Sequence, residues 1–69
     1  HGGNMKGFVE LFNVLSVVIE YSDNMVVTYY PAKVKLVNNK LFMLVSGHLV
    51  RIELENLKNL KFNFNDKVQ

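Results

Sequence analysis

Cysteine and tryptophan are absent from this chain of 69 residues, and proline occurs once. Without cysteine no disulfide can staple the fold and no thiolate can hold a metal. The same absence fits a reducing compartment, so the expected location is the cytoplasm. With one proline and four glycines, collagen-like and proline-rich architectures are excluded. Long hydrophobic runs are missing too. The longest, Leu11 to Ile19, is interrupted by Asn13 and Ser16, whereas a spanning helix needs about 20 apolar residues. No secretory leader is read in the chain, and no membrane partner is expected.

Residues with which chemistry is usually done are scarce. His1-Gly2-Gly3-Asn4 reads as an expression-tag remnant (1–4), which leaves 5–69 as one small domain and His48 as its only histidine. A zinc site needs three or four His, Cys or carboxylate ligands, so no metal is expected. Glu53 and Glu55 share a face of a strand, with Arg51 and Lys61 as neighbours. That is ordinary solvation rather than an acid–base pair. Ser46-Gly47-His48 has turn composition and lacks an acid partner, and no glycine-rich phosphate loop occurs. The expectation is a non-enzyme with no cofactor.

What the chain has in quantity is apolar surface: hydrophobic residues make up 49% and aromatic residues 12%. A domain this short buries only about 60% of the surface its unfolded chain exposes. A dense core or self-association has to compensate. Net charge is +2, unevenly spread. Residues 1–32 carry Lys6 against Glu10, Glu20 and Asp23. Residues 33–69 carry seven cations against Glu53, Glu55 and Asp66. A basic half fits either solvated strand faces or an anionic partner. Nine asparagines suggest an AT-rich source such as a low-GC bacterium, its phage or a mobile element.

Met5, Phe8, Leu11, Phe12, Leu15 and Val18 recur at three-to-four spacing, which predicts a short helix over 5–14. β-Branched Val9 and Val14 and the early Gly7 argue for a strand instead. From Val17 onward the signals are β. Val17–Tyr21 and Met25–Tyr30 flank the turn residues Ser22-Asp23-Asn24, a hairpin with a three-residue loop. Pro31 ends the second strand. Residues 32–37 alternate lysine with aliphatic, and Asn38-Asn39 forms a turn. Lys40–Val45 is apolar on both faces, as in a covered central strand. After Ser46-Gly47, Leu49–Glu55 alternates cleanly. Asn56–Asn59 breaks the pattern, Leu60–Asn65 resumes it, and 66–69 should fray. The expected fold is therefore mainly β (β-rich α+β): an antiparallel meander of about six short strands, curled into a small barrel or half-sandwich, with a short N-terminal helix.

Residues 39–62 place a strand, the Ser46-Gly47 turn and the ending Ile52-x-Leu54-x-x-Leu57 in succession. In this the stretch resembles bacterial pleckstrin-homology or GRAM-like domains. It is also similar to the strand pair of small sporulation proteins of the YabP type. The likeness covers about a third of the chain and carries over no functional residue.

The function expected from these features is that of a small interaction protein, acting on a protein partner or on a second copy as a homodimer. Tyr29 or Tyr30 would supply an aromatic anchor, rimmed by Lys33, Lys35, Lys40, Lys58 and Lys61. The alternative is a small barrel that binds single-stranded nucleic acid through the same basic, aromatic-containing surface.

Overall fold

The computed structural model describes residues 8–65. They form seven strands: β1 Phe8–Leu11, β2 Val14–Tyr21, β3 Val26–Tyr29, β4 Lys33–Val37, β5 Lys40–Val45, β6 His48–Glu53 and β7 Leu57–Phe64. A single 3-10 turn, Leu54–Asn56, joins β6 to β7. The chain is mainly β, as its alternation predicts. The short helix expected over 5–14 is corrected: β1 and the start of β2 occupy its described part. The proposed tag remnant (1–4), residues 5–7 and the expected frayed end (66–69) lie outside the described residues.

The physical reason for that correction lies in the pairing. β1 lies antiparallel against β4, with Val9 opposite Leu36 and Leu11 opposite Val34. β2 is the centre of another sheet and bonds on both sides. Ladders with β4 on one side of β1, and with β3 and β7 on either side of β2, take up this segment, and its valines are at ease in them. The helical spacing is produced by a break: Asn13 takes φ 62° between β1 and β2, so the apolar residues before and after it belong to different strands.

Neither is the sheet a closed barrel. The strands form two antiparallel sheets, a four-stranded one in the order β1-β4-β5-β6 and a three-stranded one in the order β3-β2-β7. Directly opposed residues of an antiparallel pair share a face. The rows Leu11–Val34–Met43–Val50 and Leu36–Leu41–Ile52 therefore line the inner face of the larger sheet. Tyr29–Val17–Phe62 and Val27–Ile19–Leu60 line that of the smaller. The two inner faces meet in one core whose buried apolar side chains are Val17, Ile19, Val34, Leu41, Met43 and Ile52. Burying each contributes about 1.5–3 kcal/mol.

Turn chemistry fixes the register. Ser46 and Gly47 both have positive φ, 51° and 80°, as the two-residue type I′ hairpin between β5 and β6 requires. Asn38, φ 56°, serves the β4–β5 turn. In the β2–β3 loop, Asn24 is left-handed, and the Met25 amide donates to Asp23 Oδ1 at 3.0 Å, an Asx turn. Pro31 is buried in the link between β3 and β4, where the chain leaves one sheet for the other. Two irregularities mark β2 and β7. Leu15 is an extra residue on β2 and Lys58 an extra residue on β7.

Candidate interaction surface

The outer faces of the two sheets differ in chemistry. On the smaller sheet the outward rows are Thr28–Val18–Lys61 and Val26–Glu20–Asn59. Ser16 and Asn63 continue that side, with the Asn63 amide donating to Ser16 Oγ at 2.9 Å. Lys58 Nζ donates to Asn24 Oδ1 at 2.9 Å and lies 3.8 Å from Glu20. This is a largely polar face, as expected of a sheet side turned to water.

The larger sheet turns out a different set. One outward row is Glu10–Lys35–Phe42–Arg51, and the next is Lys33–Leu44–Leu49. Phe42 and Leu44 are half-buried, and Leu49 is 69% exposed. A shallow depression of about 160 Å³ runs among Lys33, Lys35, Phe42, Leu44 and Leu49. The arrangement is an apolar strip flanked by cations. β5 is the strand read as covered on both faces. Within the described residues, nothing beyond the stems of its neighbours covers its second face.

The residues expected to form one surface are distributed over both sheets. Lys33, Lys35 and Lys40 lie on the outer face of the larger sheet, whereas Lys58 and Lys61 lie on that of the smaller. Because the sheets pack inner face to inner face, these two groups point away from each other. Lys40 approaches Glu53 at 3.9 Å, and Arg51 reaches the same carboxylate at 3.8 Å. Such solvent-exposed pairs contribute about 0–1 kcal/mol each. Tyr29 faces inward against the core, and Tyr30 is 72% exposed. Tyr30 sits at the end of the molecule where β1 turns into β2, the end that also exposes Phe12, Leu15 and Phe64. Phe42, Leu44, Leu49 and Arg51 were not singled out from the sequence as contact residues. The signal that marks them is parity: once Leu41 and Met43 are assigned to the core, Phe42 and Leu44 must face outward.

Open space elsewhere is shallow and chemically plain. A wide groove of about 770 Å³ lies at the β2–β3 hairpin end, lined by Tyr21, Asp23, Met25, Val27, Glu55 and Leu57 among others. Burial raises the Tyr21 phenol above its ordinary pKa, and the neighbouring Tyr29 adds to the rise. A cleft of about 380 Å³ separates the β1–β2 corner from Pro31 and Ala32. Among the described residues no three His, Cys, Asp or Glu side chains converge as a metal site would need. His48 is exposed beside the Ser46-Gly47 turn. No helix of the described residues is long and apolar enough to cross a membrane.

No protein-family model matches the chain, and neither a curated protein nor a solved structure matches it.

Proposed function

We propose that this chain is a small non-enzymatic interaction protein, acting by protein binding or self-assembly, and that the outer face of its four-stranded sheet is the contact surface. One observation carries the reading. Of two solvent-facing sheet sides, one is largely polar, with Val18 and Val26 set singly among polar residues, and the other bears Phe42, Leu44 and Leu49 together between Lys33, Lys35 and Arg51. Contiguous apolar surface rimmed by polar groups marks interaction sites on small proteins. Aromatic residues and arginine also dominate the energy of such contacts. A cytoplasmic setting and a phage or mobile-element origin belong to the same proposal, supported by the lack of cysteine and the abundance of asparagine.

Site-specific photo-crosslinking tests it. A benzophenone side chain at position 42 should trap a partner or a second copy. The same probe at position 61, on the polar face, should not. Leu49→Asp should abolish the product at 42. Equal labelling from both positions, or none from 42, rejects this face as the contact surface.

A second reading has its own observation. Phe42 lies directly between Lys35 and Arg51 in one cross-strand row, an aromatic platform flanked by cations of the kind that stacks single-stranded bases. Anisotropy with a labelled single-stranded oligonucleotide at about 50 and 200 mM salt separates it from the first. Affinity should fall by about 0.7 log unit per log unit of salt for each phosphate contacted. No binding at the lower salt removes this reading and leaves the first standing.

A further inference from the structure

We propose that two copies of this chain pair antiparallel through the free edge of β6, in the register that sets Ile52 against the partner's Ile52. The inference deepens the self-assembly reading above and rests on it.

Among the described residues the two sheets leave four edges: β1 and β6 on the larger sheet, β3 and β7 on the smaller. Proteins guard edges with short strands, proline, lysine and bulges. β3 is four residues long and runs towards Pro31, and β1 is described from Phe8, over four residues. β7 is longer but carries the bulge at Lys58, and Lys61 besides. β6 has no bulge, and its two charges, Arg51 and Glu53, are of opposite sign. Its six residues, His48 to Glu53, keep an unbroken register with β5 and contain neither proline nor lysine.

The atoms that β6 offers can be assigned. The Leu54 amide donates to the Asn39 carbonyl at 2.9 Å, which extends the β5–β6 ladder by one pair. Bonded and non-bonded pairs alternate along an antiparallel ladder. The even-numbered residues of β6 therefore bond to β5. Leu49 and Arg51 turn their N–H and C=O groups to the open side, and Glu53 its N–H, its C=O being taken by the first bond of the Leu54–Asn56 3-10 turn; the three side chains lie on the sheet's outer face.

A two-fold axis through two β6 strands allows only registers in which like faces meet. Centred on Arg51, the register opposes two guanidiniums and sets Leu49 against the partner's Glu53. Centred on Val50, it sets Arg51 against the partner's Leu49 and leaves Glu53 unmatched. Centred on Ile52, it sets Arg51 opposite the partner's Glu53 in both directions, with each Glu53 amide donating to the partner's Arg51 carbonyl, while Leu49 lies beyond the overlap, opposite the partner's 3-10 turn. Opposite charges directly across a ladder are favourable and like charges unfavourable. Arg51 and Glu53 already lie within 3.8 Å of each other along the strand, with the Arg51 side chain 61% exposed, so the cross-copy pair adds to an existing charge array. The union joins two four-stranded sheets into one continuous sheet, with two Phe42–Leu44–Leu49 strips on one side.

Sedimentation equilibrium of the whole chain from about 10 µM to 1 mM should show a monomer–dimer equilibrium, a range suited to weak edge pairing. Arg51→Glu and Glu53→Arg should each weaken the dimer about tenfold or more, because two attractive pairs become repulsive. The double reversal Arg51→Glu with Glu53→Arg should return Kd to within about threefold of the parent. A measurement independent of charge uses the absence of native cysteine. Chains carrying Arg51→Cys, mixed with chains carrying Glu53→Cys, should form the mixed disulfide under mild oxidation in preference to either homodimer. A strict monomer overturns the proposal. So does a dimer indifferent to both single reversals, or one in which 51–51 crosslinks prevail. In each of those cases, trapping of a different protein from position 42 still supports the outer-face reading, so the two ideas fail separately.

Discussion

Replacing Leu41 and Leu44 by alanine, one at a time, applies the same chemical change to the two sides of one strand. Leu41 is fully buried in the core between the sheets, whereas Leu44 is half-buried on the outer face. The change removes about three carbons, which at about 0.8 kcal/mol per buried CH₂ is about 2.4 kcal/mol of transfer free energy at Leu41. A cavity term is added because the neighbours collapse only in part, bringing the cost to about 3–4 kcal/mol. At Leu44 about half the transfer term applies and water fills the gap, so the cost is about 1 kcal/mol. A domain of this length has a total stability of roughly 3–10 kcal/mol. The first variant should therefore lose a large fraction of its stability and the second should stay folded. Urea unfolding followed by circular dichroism reads both, with the slope against denaturant unchanged. Equal costs at the two positions would refute the assignment of Leu41 inward and Leu44 outward, and the proposed contact surface with it.

Three smaller tests address the turns, the polar face and the phenol. Ser46→Asn should raise stability by about 0.5 kcal/mol, since asparagine tolerates the left-handed backbone that Ser46 occupies better than serine does. Gly47→Ala should cost about 1 kcal/mol through backbone strain alone, because an added Cβ meets nothing within 4 Å; thermal melts of both variants check these signs. A double-mutant cycle of Ser16→Ala and Asn63→Ala should return a coupling of about 1 kcal/mol for their part-buried bond. Tyr21 is held neutral in the fold above its ordinary pKa of 10.0. Between that value and the folded one the unfolded chain releases a proton that the folded chain keeps. Stability accordingly falls as pH rises above about 10. In Tyr21→Phe that alkaline decline should be shallower in urea titrations at stepped pH.

Most strands from Val17 onward were legible because β alternation and turn residues are local signals. Lys40–Val45 was read to its ends, and the turns at Asn38-Asn39 and Ser46-Gly47 appear as expected, whereas the expected three-residue loop Ser22-Asp23-Asn24 is four residues long, because Met25 joins it and β3 begins at Val26. The misreadings have local causes too. The left-handed Asn13 splices two strands into a false helical stripe, and the extra Lys58 resets the parity of β7, so Leu57–Asn59 reads as a break although it belongs to the strand. The arrangement of the strands is another matter. A meander predicts that neighbours in sequence pair. Here β1–β2, β3–β4 and β6–β7 cross between sheets, while β1 finds β4 and β2 finds β7. Nothing within a few residues encodes those choices. They follow from which faces can be buried together, and so the separation of Lys33, Lys35 and Lys40 from Lys58 and Lys61 could not be read from spacing.

The bond between Ser16 and Asn63 spans 47 positions, and it belongs to a ladder in which β2 is completed by the C-terminal described strand. During synthesis β2 can acquire β3 at once but must wait for β7 until every other described strand has emerged. Loop closure over such a distance has to be met before the contact returns anything, which slows folding. Until then the nascent chain holds a half-zipped ribbon whose vacant flank is the middle of the finished sheet. Any other extended segment nearby, including the same strand on a neighbouring ribosome, competes for that flank.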